Sequence, residues 1–333
     1  MFIRSYYLLV STVLLLGLSA CVFAETKPAR LSADYLPGER YMDIKLLGTL
    51  SLPPQEVNGL PMNELSALAW DEDESILYAL SDHGILFYLH PVIQAGQLKD
   101  VKIQAAFRLK NKSGGKLKGK KNDSEGLVLI NSTNGKKGDT ELLVSFETKP
   151  RIKRFTNQGE VLGSIVLPVP LKSVKRYSGA NHGLEAVTIH PEYGVITTAE
   201  QPLKRDPQNK VTLYAMSGER WQFARFPAAK SAVVAMETLG DGSILLLERA
   251  FSSMLAPIVI ILRQVWINDQ CQAKTGQACK TKILAILDST MGWNVDNFEG
   301  LTQYQPHRFF MVSDNNKFWL QRTLLSYFEV MNE

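Results

Sequence analysis

Five times along the chain a carboxylate opens a short apolar strand, and a second strand then closes on another carboxylate. The first unit runs Asn63-Glu64-Leu65-Ser66-Ala67-Leu68 and closes at Ala79-Leu80-Ser81-Asp82. The second is Asp123-Ser124-Glu125-Gly126-Leu127 with Leu143-Val144-Ser145-Phe146-Glu147. The third is Asn181-His182-Gly183-Leu184-Glu185-Ala186-Val187 with Thr197-Thr198-Ala199-Glu200. The fourth is a weaker copy, Met236-Glu237-Thr238-Leu239 with Leu246-Leu247-Glu248-Arg249. The fifth is Asp296-Asn297-Phe298-Glu299-Gly300-Leu301 with Met311-Val312-Ser313-Asp314-Asn315. The opening glutamates lie between 52 and 62 residues apart.

A repeat of that length matches one four-stranded blade, so an all-β chain forming a single β-propeller is expected. Five units leave room for a sixth, closed by N- and C-terminal strands together. Six blades are expected, with five as the alternative. Helical periodicity is scarce, and short apolar runs bounded by Gly, Pro, Asn or Asp dominate, which also fits a sandwich or barrel. In a propeller the innermost strand of each blade faces an axial channel, so a carboxylate at the same place in every inner strand forms a ring. A small residue follows Glu64, Glu125, Glu185 and Glu299 within two positions, as if backbone must pass close there. Asp82, Glu147, Glu200, Glu248 and Asp314 end strands that read as buried, and buried carboxylates need cations, arginines or backbone donors.

The N-terminus reads as an export signal. Arg4 is followed by the apolar run Tyr7 to Leu18, too short to span a bilayer comfortably. Leu18-Ser19-Ala20-Cys21 fits a lipobox with Cys21 lipidated, whereas Val22-Phe23-Ala24 fits ordinary cleavage after Ala24. Residues 1–24 are therefore expected to be a signal peptide, 25–44 a linker and 45–333 the propeller. The expected location is the periplasm or, as a lipoprotein, the outer membrane. Cys271 and Cys279 bracket a polar segment with Gly276, which suits a hairpin disulfide in an oxidising compartment, a metal site being the rival. Without Arg4, Lys+Arg number 36 against Asp+Glu 33, which makes no case for nucleic acid. The dense basic stretch Lys110 to Lys121 reads either as a solvated loop or as an anion-attracting rim.

Taken in order, these segments resemble the bacterial phytase-like domain family, described as "esterase-like activity of phytase". The resemblance rests on Leu65-Ser66-Ala67-Leu68-Ala69-Trp70-Asp71 with Tyr78-Ala79-Leu80-Ser81-Asp82, and on the second and third units with Ala199-Glu200-Gln201-Pro202-Leu203. Asp241-Gly242-Ser243 through Glu248-Arg249, the fifth unit and Gln321-Arg322-Thr323-Leu324-Leu325 complete it, over roughly residues 45 to 330. The resemblance implies a propeller and, by the family's name, hydrolysis of phosphate or other esters.

A carboxylate ring suits a hard cation, and calcium, with six to eight oxygen ligands in irregular geometry, fits a channel built from several blades. The expected ligands are Glu64, Asp82, Glu125, Glu147, Glu185, Glu200, Glu248, Glu299 and Asp314. The rival reading pairs these groups with blade backbone or with Arg249, Lys175 and Arg176. Zinc is disfavoured, since the five histidines are scattered. For ester hydrolysis, Arg249, Lys175, Arg176 and Arg205 are candidate clamps on an anionic substrate. His83 and His182, beside carboxylates of the repeat, are candidate general bases. No Gly-x-Ser-x-Gly elbow supports serine chemistry. Two classes stay open: a calcium-dependent hydrolase of small phosphate or carboxylic esters, and a non-catalytic envelope propeller that binds a ligand or protein partner. A monomer is expected, touching a membrane only through an N-terminal lipid.

Overall fold

Runs such as Ile244 to Leu247 are apolar at every position, which means that both faces of the strand are covered. The computed structural model shows how. It describes residues 25–228, 230–251, 256–316 and 321–331; the expected signal peptide, with Cys21 and the Ala24 cleavage site, lies outside them. Leu245 and Leu247 pack into one apolar cluster while Ile244 and Leu246 pack into the next. Each blade is thus sandwiched between two others, and five such clusters fill the gaps between blades.

The blades are four-stranded antiparallel sheets. Blade one is Leu65–Asp71, Ile76–Ser81, Ile85–Gln94 and Gln97–Arg108. Blade two is Ser124–Ile130, Glu141–Phe146, Arg151–Thr156 and Val161–Ile165. Blade three is Leu184–His190, Gly194–Ala199, Lys210–Ala215 and Arg220–Ala224. Blade four is Ser231–Thr238, Ile244–Ala250, Val259–Trp266 and Lys280–Asp288. Blade five takes Asn297–Gln305, Arg308–Asp314 and Thr323–Val330 from the C-terminal end and Ile44–Leu52 from the N-terminal end. The five inner strands touch one another in a closed ring.

The propeller therefore has five blades, the alternative, rather than six. The physical reason is the fate of Ile44–Leu52, which builds no sheet of its own. It pairs with Thr323–Val330, Ile44 opposite Val330 and Leu50 opposite Leu325, and becomes the outer strand of blade five. The segment before it lies against the same blade: Lys27–Pro28 and Arg40–Tyr41 pair with Ile44–Leu52, and Tyr35 stacks on Trp293 at 5.7 Å.

Cys271 and Cys279 form a disulfide in the loop between the two outer strands of blade four. Both are buried against Trp221 and Phe223 of blade three, and the Cys279 N–H donates to the Gln222 carbonyl. Closing so short a loop is worth about 2–3 kcal/mol in the chain-entropy picture. Cys271→Ser with Cys279→Ser should lower the denaturant midpoint accordingly and leave cation binding at the channel unchanged. An unaltered midpoint would show that packing alone holds the loop.

Candidate functional site

Every inner strand breaks register with its neighbour at the same place. The breaks fall between Leu65 and Ala67, Ser124 and Leu127, Leu184 and Val187, Val233 and Ala235, and Phe298 and Gly300. Such a bulge kinks the strand and re-aims a side chain that would otherwise lie between blades. The residues so re-aimed are Ser66, Glu125, Glu185, Val234 and Glu299. The inner strands meet backbone to backbone here. A Cβ on Gly126 would lie 2.6 Å from the Glu185 carbonyl oxygen, and one on Gly300 would lie 3.0 Å from Ala67 backbone. A small cavity of about 10 Å³ lies at this level, lined by residues of all five inner strands, Glu125 and Glu299 among them.

Just outside the bulges lie two further levels. The residue just after the second strand is Asp82, Glu147 or Glu200 in blades one to three; in blades four and five the corresponding residues, Arg249 and Asp314, lie at the end of the strand itself. The inner-strand residues opposite them are Glu64, Asp123, Gly183, Ala232 and Asn297. The mouth at this end is thus lined by carboxylates from blades one, two, three and five, with Arg249 from blade four.

Two sequence assignments change. Glu64 belongs with Asp123 and Asn297, two residues ahead of the bulge, and Ser66 holds the place of Glu125. In blade four the bulge position is Val234, and Arg249 rather than Glu248 reaches the mouth. Side chains alternate across a strand, so one step of register exchanges the two faces. Glu248 consequently points away from the mouth and is fully buried on Arg263, whose Nε lies 2.5 Å from Oε1. Glu237 lies near the other end of its strand, where it lines an opening of about 1040 Å³ together with Trp70, Thr188 and Tyr304. Burial pushes its carboxyl up to about 7, against hydrogen bonds from Gln303 and Thr302.

Three groups have ligand-type atoms within 4.8 Å of one another, the last two sharing Glu147: Glu64, Asp82 and His83; Asp123, Glu125 and Glu147; and Glu147, Glu185 and Glu200. His83 bridges Glu64 at 2.8 Å and Asp82 at 3.0 Å. His182 lies 3.7 Å from Glu200 and is held by Ser178 at 2.8 Å. Arg249 donates to Glu299 at 2.5 Å, Asn297 at 2.8 Å and Glu200 at 3.4 Å. Burial disfavours its charge, but Glu299, Glu185, Glu200 and Asp314 outweigh that and raise its pKa.

The carboxylates repel one another as well as losing water. Glu125 is pushed well above the carboxylate range by burial, then by Glu185 and Glu299. Glu185 is raised likewise by burial, Glu200 and Glu147. Glu147 reaches about 8 through burial and then Asp123 and Glu200. Asp314 also reaches about 8, through burial and then Glu299. Glu299 is raised by burial despite Arg249. Protons, or a cation, are what this mouth lacks when all its carboxylates are charged.

Lys175, Arg176 and Arg205 sit on blade-three loops at the same end, tied together where the Lys204 N–H donates to the Arg176 carbonyl. Among the described residues none of the three ion-pairs with a mouth carboxylate. Asp123 and Asn297 are site residues that the sequence reading passed over. Each stands two residues before a bulge glutamate, a spacing shared by Glu64 and Ser66 that would have picked them out.

No curated protein matches the chain. Its fold is similar to the PQQ-bound form of aldose sugar dehydrogenase (Adh) from Streptomyces coelicolor, at 10% identity and TM-score 0.41, covering 84% of this chain and 98% of that one. It is also similar to the β-propeller domain of Myceliophteria thermophila Cps50 (Swd1), at 10% identity and TM-score 0.38, covering 92% and 99%. The Dos1 propeller is similar at 8% identity and TM-score 0.36, covering 86% and 74%. The propeller assignment rests on the strand pairing and not on these likenesses. The family model described as "Phytase-like: Esterase-like activity of phytase" matches residues 60–317, so the chain belongs to the phytase-like family.

Proposed function

We propose that the protein is an exported hydrolase of phosphate or other esters that depends on a hard cation, calcium being the best fit, at the acidic mouth. The observation that carries the reading is the pair of carboxylate groups that share Glu147 and bring Asp123, Glu125, Glu185 and Glu200 into ligating range. The donors are oxygens with imidazole only at the rim, a set that suits calcium and not zinc. Those five residues would hold the ion. A cation there supplies Lewis-acid polarisation of an ester oxygen. Arg249, already fixed by Glu299 and Asn297, orients the anionic part of a substrate at the neighbouring wall. His182 and His83, each with about 40% of its side chain exposed, are placed to take or give a proton at the rim. We place the protein in the bacterial envelope, with Cys21 as its lipid anchor.

A second reading is a binding propeller in which the cation is structural. The close approach of the inner strands favours it, since a Cβ on Gly126 would already meet the Glu185 carbonyl oxygen at 2.6 Å and little room is left between them for a substrate. One experiment separates the readings. Melting is followed with calcium and with chelator, and phosphoesters and aryl esters are assayed under both conditions. A hundredfold excess of calcium over Kd should stabilise the fold by about 2.7 kcal/mol, or several degrees. Glu185→Gln should abolish most of that shift and any hydrolysis. Melting indifferent to calcium and chelator would end the cation reading. A calcium shift without turnover would leave the binding propeller.

A further inference from the structure

The lysine-rich stretch before blade two is built, not merely solvated. Asn111 Oδ1 accepts from the Ser113 N–H at 2.9 Å, the Ser113 hydroxyl at 2.6 Å and the Gly115 N–H at 3.2 Å. The Asn111 N–H donates to the Gly115 carbonyl, and Lys110 donates to the Gly159 carbonyl of blade two. Leu117 is buried in the core between blades one and two. The folded loop and the third strand of blade two border an open groove of about 500 Å³, lined by Lys112, Lys121, Lys149, Arg151 and Lys153 with Leu117.

No carboxylate lines this groove, and among the described residues none ion-pairs with its lysines. Arg151 is the fixed point. Its guanidinium lies 3.7 Å over the Phe146 ring and donates to the Lys149 carbonyl at 2.7 Å and to the Lys121 carbonyl. The remaining N–H groups of a planar guanidinium held this way are pre-oriented for an oxyanion. The cations also oppose one another: Lys153 is lowered by burial and then by Arg151, Lys112 and Lys121. Like charges gathered in a concavity call for an anion to offset them.

We propose that this groove binds a phosphate-type anion carrying at least two negative charges, either on a soluble phosphorylated ligand or on a lipid headgroup. The groove adjoins the carboxylate mouth, since Arg151 feels the charge of Asp123, but none of its lining residues is a carboxylate of that mouth, and it is tested with chelator present throughout.

Calorimetry with inorganic pyrophosphate, and flotation with vesicles containing phosphatidic acid, a phosphomonoester headgroup, or phosphatidylcholine alone, are run on the whole protein. The comparison is between Lys112→Gln with Lys153→Gln and Lys136→Gln with Lys137→Gln, which removes the same charge from an exposed turn at the far end of blade two. The groove variant should lose at least about tenfold in affinity, the scale of one charge-assisted contact. The control should keep wild-type affinity, and both should melt as wild type. Pyrophosphate binding without vesicle binding assigns a soluble ligand; selective binding to phosphatidic acid vesicles alone assigns a headgroup. No binding of either probe overturns the proposal, as does equal loss in both variants, which would reduce the effect to net charge.

Discussion

Arg249→Met is expected to lower the unfolding free energy by about 3–5 kcal/mol at pH 8 with chelator present, the usual result of removing one partner from a buried ionic network. Arg249 is the one guanidinium that ion-pairs with the mouth carboxylates among the described residues, touching both Glu299 and Glu200. Without it, Glu125, Glu185 and Glu299 face one another with no fixed positive charge. Arg249→Lys should recover part of the loss. A point charge can answer Glu299 but cannot also serve Asn297 and Glu200 as the fork does. Urea titration reads the effect directly. A methionine variant as stable as wild type would mean that protons alone compensate the cluster.

Proton uptake should itself dominate the pH dependence of the cation-free protein. Glu147 and Asp314 both sit at about 8 in the folded chain, raised first by burial. Their ordinary values are 4.5 and 3.8, so folding binds protons. The stabilisation is complete below those ordinary values and is lost as pH rises through about 8. Each pKa unit corresponds to about 1.4 kcal/mol, so the two groups together are worth several kcal/mol. Melting in chelator should therefore fall steadily between pH 5 and pH 9. Saturating calcium should flatten that slope, because a bound cation replaces the protons, and Glu147→Gln should remove part of it. Melting that rises across the same range would show that these carboxylates are charged and stabilised in the free protein.

What the sequence disclosed and what it concealed divide along a physical line. The convergence of Glu125, Glu185 and Glu299 was readable because each stands before a small residue at the same step of an equivalent strand. Blade four misled because Glu237 and Glu248 supply the expected residue type in the wrong register. Counting carboxylates cannot tell which face of a strand they occupy, whereas the bulge at Val233 and Ala235 settles it. The presence of Arg249 at a carboxylate position follows from the same shift. The choice of six blades over the alternative of five went astray for a different reason. Ile44–Leu52 reads as one more strand, and nothing local says whether a lone terminal strand starts a sheet or finishes one.

That terminal strand also decides when the molecule can become itself. Blades one to four are each continuous in sequence and rest on local hairpins. Blade five joins Ile44 to Val330, segments at opposite ends of the fold, the first synthesised long before the second. Contacts of such wide sequence separation are slow to form, because the intervening chain must already be ordered for them to be rewarded. A partly made chain is an open arc with the edge of Ile44–Leu52 bare, the kind of edge that recruits strands from other molecules. Ring closure is thus a late event, deferred until Thr323–Val330 has emerged. The acidic mouth, which needs Arg249, Asn297, Glu299 and Asp314 opposite Glu64 and Asp82, cannot assemble before that clasp shuts.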